Sequence, residues 1–108
     1  MSDMTPKEYF AAMPAAFRPD AAARLNATYQ FELSGPGGGT WFVQIRDGAL
    51  AVGEGAQPNP DVVLRAAAKD YVAIAEGRMS AVLALALRKF KISGSLPLAM
   101  KLEKLFKR

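Results

Sequence analysis

RKFKISGSLPLAMKLEKLFKR, residues 88–108, holds a short strand, a turn and a basic amphipathic helix in succession. Phe90 and Ile92 alternate with Lys89, Lys91 and Ser93, the period of a half-buried strand. Gly94 frees the backbone to turn, Ser95 is placed to cap a helix, and Pro97 falls in its first turn, where a missing N–H does no harm. From Leu98 the period becomes helical. Leu98, Ala99, Leu102, Leu105 and Phe106 fall within roughly a third of the circumference, with Met100 outside that arc. Lys101, Glu103, Lys104, Lys107 and Arg108 occupy the remainder. A helix of this kind lays its apolar stripe on a closed core, on an apolar ligand or on a membrane.

Upstream, Thr5-Pro6-Lys7-Glu8 reads as a capping box with proline at the first helical position. Phe10, Met13 and Phe17 share one face of that helix, and Pro14 is expected to break or kink it after about two turns. A second short helix is expected from Ala21 through Ala22, Ala23 and Arg24 to Leu25. Strict alternation then predicts strands over 27–34, 41–46, 49–52 and 61–66, with Asp47-Gly48 a hairpin turn. Trp41, Val43 and Ile45 should share a buried face with Tyr29, Phe31 and Leu33, and Phe42 should lie on the other. Lys69-Asp70 opens a helix that Gly77 stops, and Ser80 caps another, AVLALAL over 81–87, that is apolar all round. Such a helix is expected to be buried on every side or to line an apolar cavity. The predicted order is α-α-β-β-β-β-α-α-β-α: an α+β fold whose five-stranded, mostly antiparallel sheet is covered on one face by helices. The fifth strand follows a helical crossover and could run parallel to a neighbour.

Composition narrows the chemistry. The chain has 108 residues, the size of one domain, and contains neither cysteine nor histidine. Thiolate nucleophiles, zinc–thiolate sites and the commonest general base are therefore missing, and no catalytic residue, cofactor or metal site is expected. Asp47, Asp61, Asp70 and Glu76 each have a local role in a turn, at a strand entry or on a solvated helix, and no partner base accompanies them. The Gly35–Gly39 run lies between two strands and lacks a Gly-Lys-Ser/Thr ending, so it reads as a hairpin loop. No apolar run reaches eighteen residues and MSDMTPKEYF does not resemble a leader, so a cytoplasmic protein without a membrane span is expected. Residues 88–108 carry seven Lys/Arg against Glu103 alone, whereas residues 1–87 carry seven Lys/Arg and nine Asp/Glu. The cations surround a helix and are not interleaved with aromatics, which argues against nucleic acid. Lys101, Lys104, Lys107 and Arg108 are instead expected either to be a solvated face or to meet an anionic membrane surface. A monomer is expected, with a dimer as the alternative.

Candidates for the inner side are Phe31, Trp41, Val43, Ile45, Leu64, Phe90 and Ile92 from strands, and Tyr71, Ile74, Met79, Val82, Leu83, Leu85 and Ala86 from helices. Leu98, Met100, Leu102 and Leu105 join them from the tail. Widening Leu83 or Leu85 to Trp would then be expected to block a ligand cavity.

Three blocks carry a family resemblance. Trp41-Phe42-Val43-Gln44-Ile45-Arg46-Asp47-Gly48 resembles the W-x-V-x-(I/V)-x-(D/N)-G hairpin of the sterol carrier protein 2 domain. Pro60 to Leu64, then Asp70-Tyr71 and Gly77-Arg78-Met79, resemble its central stretch, and Phe90 to Gly94 with Leu98-Ala99-Met100-Lys101-Leu102 resembles its ending. The resemblance covers about residues 10–106 and implies a hydrophobic tunnel between sheet and helices that holds fatty acyl chains, sterols or other lipids. It implies either a non-catalytic lipid carrier or an accessory module presenting a lipid to an enzyme or a membrane. Two departures stand out: Arg88 occupies a position where the family usually has Gly, and Phe106-Lys107-Arg108 is not a peroxisomal ending.

Overall fold

A computed structural model describes residues 5–22 and 25–106. Ala23, Arg24, Lys107 and Arg108 lie outside the described residues. The order is α1 (Pro6–Ala16), β1 (Ala27–Ser34), β2 (Gly39–Arg46), β3 (Ala49–Glu54), β4 (Val62–Ala67), α2 (Ala68–Ala75), α3 (Ala81–Ala86), β5 (Phe90–Gly94) and α4 (Leu96–Leu105).

The sheet order is β3-β2-β1-β4-β5, antiparallel except for the β1–β4 pair. The first three strands form the expected meander. Asp47 (φ 50°) and Gly48 (φ 81°) both take the left-handed conformation that a type I′ hairpin requires. The parallel pair falls elsewhere than the crossover suggested. Residues 55–61 carry the chain from edge strand β3 across the sheet to the far side of β1, held by Gln57 N–H donating to Gln30 Oε1 at 2.9 Å. β4 therefore starts parallel to β1. The helices α2 and α3 lead out and back to the same end of the sheet, where Phe90 pairs with Ala66, so β5 is antiparallel to β4.

Register follows the alternation. Phe31 opposes Trp41, Tyr29 opposes Val43 and Ala27 opposes Ile45, all buried, while Phe42 opposes Gln30 on the other face. That second face is polar and tied across three strands. Gln30 Nε2 donates to Glu32 Oε2 at 2.8 Å, Arg65 Nε donates to Glu32 Oε1 at 2.8 Å, and Arg65 Nη1 reaches Ser93 Oγ at 3.4 Å. The Arg65 hydrogen bond, then that of Gln30, hold the Glu32 carboxyl below its ordinary pKa.

The helices end where local chemistry stops them. Thr5 and Glu8 close the capping box, and α1 runs past Pro14 to Ala16, because a proline in the last turn removes only one late hydrogen bond. Of the second helix expected from Ala21 to Leu25, Ala23 and Arg24 lie outside the described residues; among those described, residues 19–22 form turns, with Ala21 N–H on Arg18 O and Ala22 N–H on Pro19 O. α2 and α3 share one C-terminal device, the Schellman motif. At α2, Gly77 (φ 80°) donates to Ile74 O and Arg78 to Ala73 O; at α3, Arg88 (φ 62°) donates to Leu85 O and Lys89 to Ala84 O. Arg88 thus holds a left-handed position that glycine occupies without strain. Replacing Arg88 with Gly should raise unfolding free energy by up to about 1 kcal/mol, measured by urea denaturation, as the strain relieved exceeds the entropy lost.

Candidate apolar ligand site

Between the sheet and its helices lies a layer of aromatic rings. Phe10, from α1, stacks on Trp41 at 5.2 Å between centroids and lies 5.0 Å from Phe31. Tyr71, from α2, stands nearly parallel to Phe10 at 6.2 Å and meets Phe31 at 5.3 Å, Phe90 at 6.4 Å and Tyr9 at 5.7 Å. Offset and edge-on contacts of this kind add to simple area burial. Val43, Ile45, Val62 and Leu64 continue the apolar floor along the sheet.

α4 closes the layer on the β4–β5 side. Its predicted arc is its inner face: Ala99 and Leu105 are buried, and Leu98, Leu102 and Phe106 are half-buried. Tyr29 Oη donates to Leu98 O at 2.7 Å, pinning the helix to the sheet. Arg18 N–H donates to Leu105 O, and Phe17 lies against Phe106 with centroids 5.6 Å apart, so the segment after α1 clasps the end of α4.

Burial, and secondarily the Asp61 charge, push the Tyr29 hydroxyl up to about 12. A tyrosine in the unfolded chain titrates near 10, so between these values the folded state binds the extra proton. The stabilisation is complete below about pH 10 and is lost as pH rises through 12. Wild type should lose on the order of 2 kcal/mol over that window relative to Tyr29→Phe. At neutral pH the variant should be about 1 kcal/mol less stable for want of the Leu98 bond. Denaturant titrations of both proteins from pH 8 to pH 12 check the crossing.

Of the residues expected inside, Phe31, Trp41, Val43, Ile45, Leu64, Tyr71, Ile74, Phe90 and Leu105 are buried and Met79, Ile92, Leu98 and Leu102 half-buried. α3 is the correction. Val82, Leu83, Leu85 and Leu87 are 40–78% exposed, Ala86 is exposed too, and only Ala84 is buried. A helix of six residues resting on edge strand β5 can turn just one side inward, and no described residue covers the other. A tryptophan at Leu83 or Leu85 would stand in solvent rather than in the interior. Met100 is likewise exposed, as its place outside the apolar arc requires. Phe10 and Met13 lie outside the predicted set, although they share a face with Phe17 in the sequence pattern; both are buried in the core. Lys101 and Lys104 project into solvent.

Two open clefts lie at the end of the sheet where β1 finishes and β2 begins. One, about 590 Å³, is lined by Glu32, Arg65, Asp70, Arg88, Lys89 and Lys91 among others; the second, about 400 Å³, adjoins Trp41, Lys7 and Glu54. Among the described residues no three His, Cys, Asp or Glu side chains gather as a metal site, and no helix is long and apolar enough to cross a membrane.

A five-stranded mixed sheet with helices on one face and an aromatic layer beneath them defines an α+β class built around an apolar interior. The chain belongs to the SCP-2 sterol transfer family, whose model matches residues 8–107. It is 38% identical to the rat (Rattus norvegicus) hydroxysteroid dehydrogenase-like protein 2 over 96% of this chain and 21% of that protein. The chain thus spans about a fifth to a quarter of the curated relatives it matches. Among solved structures, sterol carrier protein 2 like 2 from Aedes aegypti matches with a TM-score of 0.73 and 25% identity over 93% of this chain and 92% of that one. The sec-alkylsulfatase Pisa1 from Pseudomonas sp. carries the same fold, with a TM-score of 0.84 and 18% identity over 97% of this chain and 17% of that enzyme.

Proposed function

We propose that this chain binds a long-chain apolar ligand between its sheet and its helical cover, and performs no chemistry on it. The observation that carries this reading is the aromatic and aliphatic layer of Phe10, Phe31, Trp41, Tyr71 and Phe90, continued by Val43, Ile45 and Leu64. Ile74, Met79, Ile92, Leu98, Leu102 and Leu105 complete the contact set. Affinity would come from area, at roughly 25 cal/mol per Å² of apolar surface withdrawn from water, less the cost of ordering a flexible chain. Entry requires α3 and α4 to part from β5, and α3 is the weaker hold because Ala84 is its sole buried residue. The Aedes aegypti relative has also been solved in palmitated form, which supports an acyl chain as ligand.

A second reading, favoured by the small share of the dehydrogenase-like relative that this chain spans, is an accessory module presenting its lipid to an enzymatic domain or partner. The test is displacement of a fluorescent fatty acid from the purified chain, with Trp41 emission as a second reporter. Saturable binding and competition by unlabelled palmitate are expected. Failure of fatty acids, sterols and quinones alike to compete would remove the reading.

A further inference from the structure

We propose that α3 and the start of β5 form a docking surface for anionic lipid bilayers, with the α3 aliphatics entering the interface. Val82, Leu83, Leu85 and Leu87 stand in solvent on a helix whose one buried residue, Ala84, points the opposite way. At 100° per residue they sweep an outward arc of about 200°. The helix is held rigid at both ends: Ser80 Oγ accepts from Leu83 N–H, and the Schellman motif at Arg88 closes the other end. Exposed apolar residues on one short ordered helix are a costly display unless something covers them.

The surrounding charge identifies what covers them. Arg88 and Lys89 follow α3 directly and are exposed, and Lys101 and Lys104 are exposed on α4, which like α3 packs on edge strand β5. No Asp or Glu occurs between Glu76 and Glu103. Two copies meeting through this face would set cations against cations. None of the four exposed α3 residues is aromatic, whereas protein interfaces centre on Trp, Tyr and Arg anchors. Aliphatic side chains flanked by lysine and arginine fit the boundary between headgroups and acyl chains of a negatively charged leaflet. The surface is distinct from the ligand layer, on which α3 rests through Ala84 and the half-buried Ala81. It also places the membrane contact on a helix that the sequence pattern assigned to the interior.

The test is co-sedimentation of the whole chain with vesicles of phosphatidylcholine alone or of equal parts phosphatidylcholine and phosphatidylglycerol, at low and high salt. Binding should require phosphatidylglycerol and weaken with salt. Val82→Ser together with Leu83→Ser should reduce it at least about tenfold while thermal unfolding stays in place, because both side chains are more than half exposed. Lys101→Glu with Lys104→Glu should reduce it similarly. In a Leu83→Trp variant, indole emission should shift to the blue and be quenched by lipids brominated in the acyl chain. Wild type that ignores anionic vesicles at low salt overturns the proposal. So does a Leu83→Trp signal unchanged in protein that sediments, or a Leu83-dependent dimer that does not bind lipid. Fatty-acid displacement run on the wild type separates this outcome from the ligand reading: a wild type that displaces fatty acid but ignores anionic vesicles rejects the dock alone, and one that binds vesicles without displacement rejects the ligand alone.

Discussion

Phe10→Ala should lower unfolding free energy by about 3–5 kcal/mol, a large share of the 5–15 kcal/mol typical of a small domain. Phe10 joins the sheet to α2, stacked on Trp41, tilted against Phe31 and nearly parallel to Tyr71. Its removal leaves a cavity walled by rings held from β1, β2 and α2, which cannot collapse onto it without moving the backbone. Phe10→Leu should cost about half as much, since most of the space stays filled. The same cavity lies in the proposed ligand layer. Saturating benzene, or a fatty acid, should restore part of the lost stability in the alanine variant by binding only the folded state. Urea denaturation with and without ligand measures both effects; a loss below about 1 kcal/mol would show that the aromatic layer is not what holds α1 to the sheet.

Gly94→Ala should be comparably damaging, at about 3 kcal/mol or more. Gly94 sits at φ 93° at the junction of β5 and α4, and a Cβ there would run into the backbone carbonyl of Asp61. The atom it meets is main chain, so relief requires β4 and β5 to separate. Asp61 is fixed from several sides: its Oδ2 accepts from Thr28 N–H at 2.8 Å, its own N–H donates to Thr28 O, and its carbonyl accepts from Ser95 N–H at 3.0 Å. Displacing it loosens the start of α4 as well as the edge strand. Gly35→Ala is the matched control, because Gly35 has φ 81° but open space around it, and should cost only about 1–2 kcal/mol of backbone strain. If the proposed site is correct, Gly94→Ala should also lose fatty-acid retention at temperatures where it remains folded, and Gly35→Ala should not.

Strand register, the capping box, the type I′ hairpin and the inward arc of α4 were legible in the amino-acid sequence, because each rests on a local rule. Alternation at Tyr29, Phe31, Trp41 and Val43 allows one register with a buried face. Likewise Lys101 and Lys104 mark the wet side of α4 and thereby define the dry one. The three blocks of residues that resemble sterol carrier protein 2 domains lie on those same local elements, and the family match covers them all.

Tertiary structure alone decided the rest. α3 has no polar residue from Ala81 to Leu87 and so no periodic signal to mark a wet side; its exposure follows from lying on an edge strand with no described residue packed beyond it. The parallel partner of β1 depended on where residues 55–61 cross the sheet, a path anchored by Gln30 from a distant strand. The left-handed conformation of Arg88 was likewise invisible, since the residue type does not announce it; the Schellman bonds of α3 impose it. Local patterning set which side chains face a core, and long-range packing set whether anything was there to cover them.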